Sequence, residues 1–247
     1  HLNSVGDRIA VSSVEGGVNN VIGKGFVRVY EYVNSNWIQM GSNIMGEEQY
    51  DAFGSDVSIS ADGSILAIGA DQGIHPWHYN AYGAHPSGHR PGKVYVYTWI
   101  NSDWQQIGTT ILGPGDDSRF GYSVSLSDNG LRLAVGAPGG YDYSNGGWVH
   151  ENGYFAVYEF DGSWVKINEV SGELSNLGVA VALSGDGTRL SVGTGSQDSG
   201  FTYSVETYPK CENEGICTET TNGTFYAAGS FFCECLPGYE GDLCETD

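Results

Sequence analysis

FGSDVSISADGSILAIGA, residues 53–70, returns as FGYSVSLSDNGLRLAVGA at 120–137 and as LGVAVALSGDGTRLSVGT at 177–194. The opening GDRIAVSS, residues 6–13, is the second half of the same unit. Self-similarity at this spacing marks a repeat architecture. Within each unit VSIS or VSLS alternates with period two, which sends one side of a strand into a core. SADGS, SDNGL and SGDGT are tight-turn sequences, because Asp, Asn and Gly tolerate positive φ.

Each unit continues with a second pair of strands. These are GFVRVYEYVNSNWIQMG (25–41), GKVYVYTWINSDWQQIG (92–108) and GYFAVYEFDGSWVKIN (153–168), with only GFTYSVETY (200–208) in the last unit. NSNW, NSDW and DGSW supply the second hairpin. Trp37, Trp104 and Trp164 hold one equivalent position, where they are expected to fill the space between units. A four-stranded sheet of this kind cannot cover both of its faces alone, so the units should stack radially as blades of an all-β propeller. The expected strand counts are three, four, four and three. That total can close a small ring, with the first and last segments completing one blade together. Because His1 falls in mid-unit, we expect instead a cut N-terminus and a larger propeller with earlier blades upstream.

The repeats resemble the FG-GAP blades of integrin α-chain propellers. The resemblance is carried by Phe53-Gly54 with Ala67-Ile68-Gly69-Ala70, and by Phe120-Gly121 with Val135-Gly136-Ala137-Pro138. It covers about residues 6–205. Family blades often carry a DxDxDG calcium loop, and no such run occurs here. The resemblance therefore does not imply calcium on the blades.

All five cysteines lie between Cys211 and Cys244. Cysteines clustered in a short polar tail read as a disulfide framework of an oxidising compartment. The runs Cys211-Glu-Asn-Glu-Gly-Ile-Cys217, Cys233-Glu-Cys235 and Cys235-Leu-Pro-Gly-Tyr-Glu-Gly-Asp-Leu-Cys244 are similar to the EGF-like family. The expected domains are thus a propeller over 1–208 and an EGF-like module over 209–247. The resemblance implies disulfides Cys211–Cys233 and Cys235–Cys244. It leaves Cys217 unpaired, either buried and inert or cross-linked to another chain. The acidic run that marks calcium-binding members is absent before Cys211. Asn222-Gly-Thr224 is the one N-glycosylation sequon, in the loop between Cys217 and Cys233.

The formal net charge is -20, so the chain should repel nucleic acid and anionic membrane surfaces. No run of about 18 apolar residues suits a transmembrane helix. Two long loops stand out. The first, DQGIHPWHYNAYGAHPSGHRPG (71–92), joins the second and third strands of its blade and holds His75, His78, His85 and His89. Its HxxH and HxxxH spacings can ligate zinc or copper through imidazole. The same histidines can equally be solvated on a loop packed by Trp77, Tyr79 and Tyr82. The second, PGGYDYSNGGWVHENG (138–153), carries Tyr141, Tyr143 and Trp148 in the equivalent connection. Both should leave one face of the propeller, where an aromatic and polar surface suits protein or sugar recognition. The acidic residues before each blade, Glu47-Glu48, Asp116-Asp117 and Glu173, can attract a cation such as calcium only weakly.

No GxSxG, HExxH or P-loop is present, and no catalytic set or cofactor is expected. The reading is an extracellular, secreted or cell-surface structural or adhesion protein. It would assemble with other extracellular proteins, copies of itself included, in a surface filament, matrix or flagellar hair. A receptor-like ectodomain binding a soluble ligand or glycan is the second reading, and a secreted propeller glycosidase the third.

Overall fold

The computed structural model describes residues 1–14, 24–48, 51–72, 91–115, 118–139, 141–142, 149–150, 152–195, 202–206, 216–219 and 231–234. Among them every regular element is a strand, and every strand pair is antiparallel.

Four sheets follow the repeats. The first holds β1 (Arg8–Ser13), β2 (Phe26–Val33) and β3 (Asn36–Met45). The second runs β4 (Phe53–Ile59), β5 (Ile65–Ala70), β6 (Lys93–Ile100) and β7 (Asp103–Gln106), with β8 (Ile111–Leu112) also on β6. In the third, β9 (Ser123–Leu126) and β10 (Arg132–Ala137) precede β13 (Asn152–Phe160) and β14 (Trp164–Ser175). The fourth holds β15 (Ala180–Leu183), β16 (Arg189–Gly193) and β17 (Thr202–Glu206). Two hairpins stand apart from these sheets: β11 (Tyr141–Asp142) with β12 (Val149–His150), and β18 (Ile216–Glu219) with β19 (Phe231–Glu234).

The turns form as their residues dictate. Asn34-Ser35 and Asn101-Ser102 take positive φ at both positions, the two-residue hairpin loop whose twist matches the flanking strands. In the SxDG-type turns the N–H of Gly63, Gly130 and Gly187 reaches back to the carbonyl of Ser60, Ser127 and Ser184. The same serine hydroxyls accept the N–H of Ile65, Arg132 and Arg189. At the first turn Asn3 performs both tasks, its Oδ1 accepting from Gly6, Asp7 and Arg8.

The sheets pack face to face in series, β1 against β4, β4 against β9 and β9 against β15. Alternation along the strands divides the second and third sheets each between two cores. Leu66, Ile68 and Ala70 face the first sheet, where they meet its Ala10, Val27 and Met40. Ala67 and Val94, on the opposite face, meet Phe120, Leu133 and Val135 of the third sheet. Ala134 and Phe155 then meet Leu190 and Val192 of the fourth. This is a propeller-like series of blades.

Polar locks repeat at every junction. The N–H of Ile59, Leu126 and Leu183 is accepted by His1 Nδ1, Ser58 Oγ and Ser125 Oγ of the preceding blade, at 3.1, 3.0 and 2.9 Å. The turns are tied by Asn3 Nδ2 to the Ala61 carbonyl, the Ala61 N–H to the Asp128 carbonyl, and the Asp128 N–H to the Gly185 carbonyl. The Trp104 and Trp164 indoles donate to the carbonyls of Met40 and Ile107, both at 3.2 Å, and so fill the inter-blade space as expected. Trp37 differs: it is 45% exposed.

Candidate functional site

The residue before each Phe-Gly or Leu-Gly pair takes a left-handed backbone: Ala52 at φ 53°, Arg119 at 57° and Asn176 at 60°. This kink swings the entry of one blade beneath the loop roots of another. At the second blade Asp51 is fully buried. Its Oδ1 accepts from Gln72 Nε2 at 2.7 Å and its Oδ2 from the Glu48 N–H at 3.2 Å, while Lys93 Nζ lies 3.7 Å away. The Gln72 amide oxygen accepts the Gly92 N–H at 3.1 Å. A buried carboxylate is tolerated because charge-assisted bonds replace its water. One buried Gln72–Asp51 clamp therefore pins both ends of the first long loop.

The entry to the third blade grips the same loop from the other side. Ser118 Oγ and the Phe120 N–H both donate to the Pro91 carbonyl, at 2.6 and 3.0 Å. Arg119 binds Asp71 Oδ2 through Nη2 at 2.7 Å and Nε at 3.2 Å, and its guanidinium lies 4.5 Å from the Tyr122 ring centroid. The Ser118 carbonyl accepts the Gly139 N–H at 3.1 Å, at the root of the second long loop. Residues Ser118–Phe120 thus hold the roots of both loops on one end of the molecule.

Below this rim an open groove of about 360 Å³ runs between the inner strands, lined by Ser55, Asp56, Tyr122, Ser123, Val179 and Ala180. Burial pushes the Asp56 carboxyl above its ordinary range, although it accepts the N–H groups of Val124 at 2.8 Å and Val57 at 2.9 Å. The Ser55 and Ser123 hydroxyls donate within the chain, to the carbonyls of Gly121 and Gly178, which leaves the Asp56 carboxyl and the Tyr122 phenol ring to hold a polyol or an amide by hydrogen bonds and stacking.

Of the residues expected from sequence to act, His75, His78, His85, His89, Trp77, Tyr79, Tyr82, Tyr143 and Trp148 lie outside the described residues, as do Cys211, Cys235, Cys244 and Asn222. Tyr141 is described in backbone only, paired with His150 across β11 and β12. Cys217 stands opposite Cys233 in the register of β18 and β19. Glu47, considered as a cation ligand, accepts the Tyr95 hydroxyl at 3.3 Å. Asp51, Gln72, Arg119 and Asp56 were not singled out by motif. The readable signal was positional: Asp51-Ala-Phe-Gly aligns with Ser118-Arg-Phe-Gly, putting a side-chain hydrogen-bonding group two residues before each Phe-Gly.

No family model matches the chain, and no curated protein matches it. Solved structures do. TolB from Acinetobacter baumannii matches at 14% identity and TM-score 0.45, over 83% of this chain and 39% of its own. A protein designated a 6-phosphogluconolactonase from Bacteroides uniformis matches at 12% identity and TM-score 0.48, over 83% and 52%. A protein designated TolB from Agrobacterium tumefaciens matches at 12% and 0.40, over 83% and 56%. The chain spans less than two thirds of the length of each. The blade series described above rests on the chain's own strand pairing.

Proposed function

We propose that this is an extracellular structural or adhesion protein that contacts partner proteins through the loop-bearing end of its blades. On this reading the blades are of the FG-GAP type and the cysteine-rich tail is an EGF-like spacer or docking module. The observation that supports it is the double clamp at Ser118–Phe120. It fixes the roots of two long aromatic loops side by side on a rigid scaffold, as recognition loops are held. The acidic surface favours basic or neutral partners. The test is the native extracellular material, run with and without reductant and with Cys217 mapped. A heavier species that reduction resolves is expected if Cys217 adds a covalent link. Replacing residues 75–89 by a short Gly-Ser linker should abolish partner binding while leaving the clamp intact. Unchanged binding would remove the loop end from the reading.

The axial groove favours a second reading, a receptor-like ectodomain that holds a neutral glycan. Binding on a glycan array that Tyr122→Ala abolishes would support it, and an empty array would remove it.

A further inference from the structure

The cysteine-rich tail contains a juxtaposition that its motif does not imply. β18 and β19 run antiparallel with Ile216 opposite Glu234, Cys217 opposite Cys233, Thr218 opposite Phe232 and Glu219 opposite Phe231. The register is continuous across the four pairs. Directly opposed residues of an antiparallel pair share one face of the ribbon. Their Cα atoms lie about 4.5 Å apart, or about 5.5 Å where the pair exchanges hydrogen bonds. A disulfide needs Cα atoms about 4.4–6.8 Å apart. Both kinds of opposed pair fall inside that window, so the backbone register alone sets Cys217 and Cys233 at bonding distance.

The EGF-like resemblance instead gives Cys233 to Cys211, which precedes the ribbon, and leaves Cys217 over. A cysteine held opposite its partner by the strand pairing reacts ahead of one tethered by chain outside it, because its encounter is already made. We propose that Cys217 and Cys233 form an intrachain disulfide, in place of Cys211–Cys233.

The bond forms by two exchanges with a disulfide-bearing oxidant, the class of reagent that an oxidising compartment supplies. The Cys217 thiolate attacks one sulfur of the oxidant, forms a mixed disulfide and displaces one oxidant thiolate. The Cys233 thiolate then attacks the Cys217 sulfur and displaces the second. Two cysteine thiols are oxidised, one oxidant disulfide is reduced to two thiols, and the two cysteine protons pass to the departing thiolates.

The bond closes the segment 218–232, which carries the Asn222-Gly-Thr224 sequon. It also fixes the register. A slip of two residues keeps each strand on its faces but sets Cys217 against Cys235. Finally, it moves the odd cysteine. With Cys235–Cys244 paired as the resemblance implies, Cys211 is left among the five. The covalent link of the assembly reading then falls to Cys211 rather than Cys217, and this consequence alone rests on that reading.

The sequence permits a direct test, because a glutamate stands between every two consecutive cysteines. The whole secreted protein is alkylated at mildly acidic pH, deglycosylated, and digested without reductant by a protease that cleaves after glutamate. Cys217 then lies on fragment 215–219, Cys233 on 220–234, Cys235 on 235–240 and Cys244 on 241–245. Mass spectrometry should find 215–219 joined to 220–234, and joined still in the Cys211→Ser variant. A link from 220–234 to the Cys211 fragment overturns the inference. So does Cys217 that is alkylated or joined to 235–240. Cys217 joined to a second polypeptide overturns it and leaves the assembly reading standing. The Cys217–Cys233 bond found beside an alkylated Cys211 upholds it and removes the covalent link from that reading.

Discussion

The junction between the second and third blades and the outer face of the fourth use the same sequence positions to different ends. Gly69 and Gly136 lie so close to the next blade that an added Cβ would fall 2.0 Å from the carbonyl oxygens of Gly121 and Gly178. Gly193, their counterpart on the fourth blade, would meet only atoms of its own blade, the Ala180 Cβ at 3.3 Å, the Val179 Cγ1 at 3.6 Å and the Ala180 N at 3.7 Å. Asp56 and Ser58, whose side chains bond across the junction, give way on the fourth blade to Ala180 and Ala182, which are exposed, as is Arg189. The pattern that builds the blade is kept in all four units. The pattern that covers the blade is kept only where a neighbour sits, as expected when each repeat contacts its neighbours alone.

The largest effect should come from emptying a covered position. Ile68→Ala removes a fully buried side chain from the core between the first two blades and should cost about 3–4 kcal/mol in urea unfolding. Val11→Ala, the same position on the uncovered face, should stay within about 0.5 kcal/mol in dilute solution. Equal losses would mean that the first blade's back face is covered within the single chain. Overfilling comes next. Gly136→Ala forces two backbones apart and should cost about 2–3 kcal/mol, while Gly193→Ala should be nearly neutral.

A smaller difference separates the tryptophans. Trp104→Phe deletes a buried indole bond to the Met40 carbonyl and should cost about 1 kcal/mol. Trp37→Phe, at an exposed ring tilted 52° against Tyr32 with centroids 5.1 Å apart, should change stability by less than about 0.5 kcal/mol. If Trp37→Phe proved the costlier, the order of the blades around the axis would need revision.

These contrasts also show what the sequence could reveal. Period-two alternation and SxDG turns are local, so the strands and hairpins of every blade were legible from residues alone. The equivalence of Trp37, Trp104 and Trp164 was legible too, but not their unequal burial. Burial depends on whether a blade precedes, which is a property of the assembled series. The loop clamp was hidden for a similar reason. Asp51, Gln72 and Arg119 look like ordinary surface residues until the left-handed kinks at Ala52 and Arg119 fold them under the loop roots. Asp56 reads as one carboxylate among many in an acidic chain, and only the groove between inner strands sets it apart.

That distinction gives the subtlest prediction, because two aspartates should couple to stability with opposite signs. Asp186, in the exposed turn of the fourth blade, is held down at about 2 by bonds from the Ser184 hydroxyl, the Thr188 N–H and the Thr188 hydroxyl. A carboxyl depressed in the folded state stabilises above the ordinary aspartate value near 3.8, and that contribution is lost as pH falls through about 2. Asp56 is raised by burial, so the folded protein holds its proton more tightly than the unfolded chain. Its ionisation therefore costs stability as pH rises from 3.8 through its folded value. Carboxyl-carbon NMR titration should place the Asp186 midpoint below 3.8 and the Asp56 midpoint above it. Replacing Asp56 with Asn should flatten the decline with rising pH, while Asp186→Asn should flatten the loss at the acid end. Midpoints in the reverse order would mean that water reaches Asp56 freely, and the groove between the inner strands would then be too wet to hold a ligand through that carboxyl.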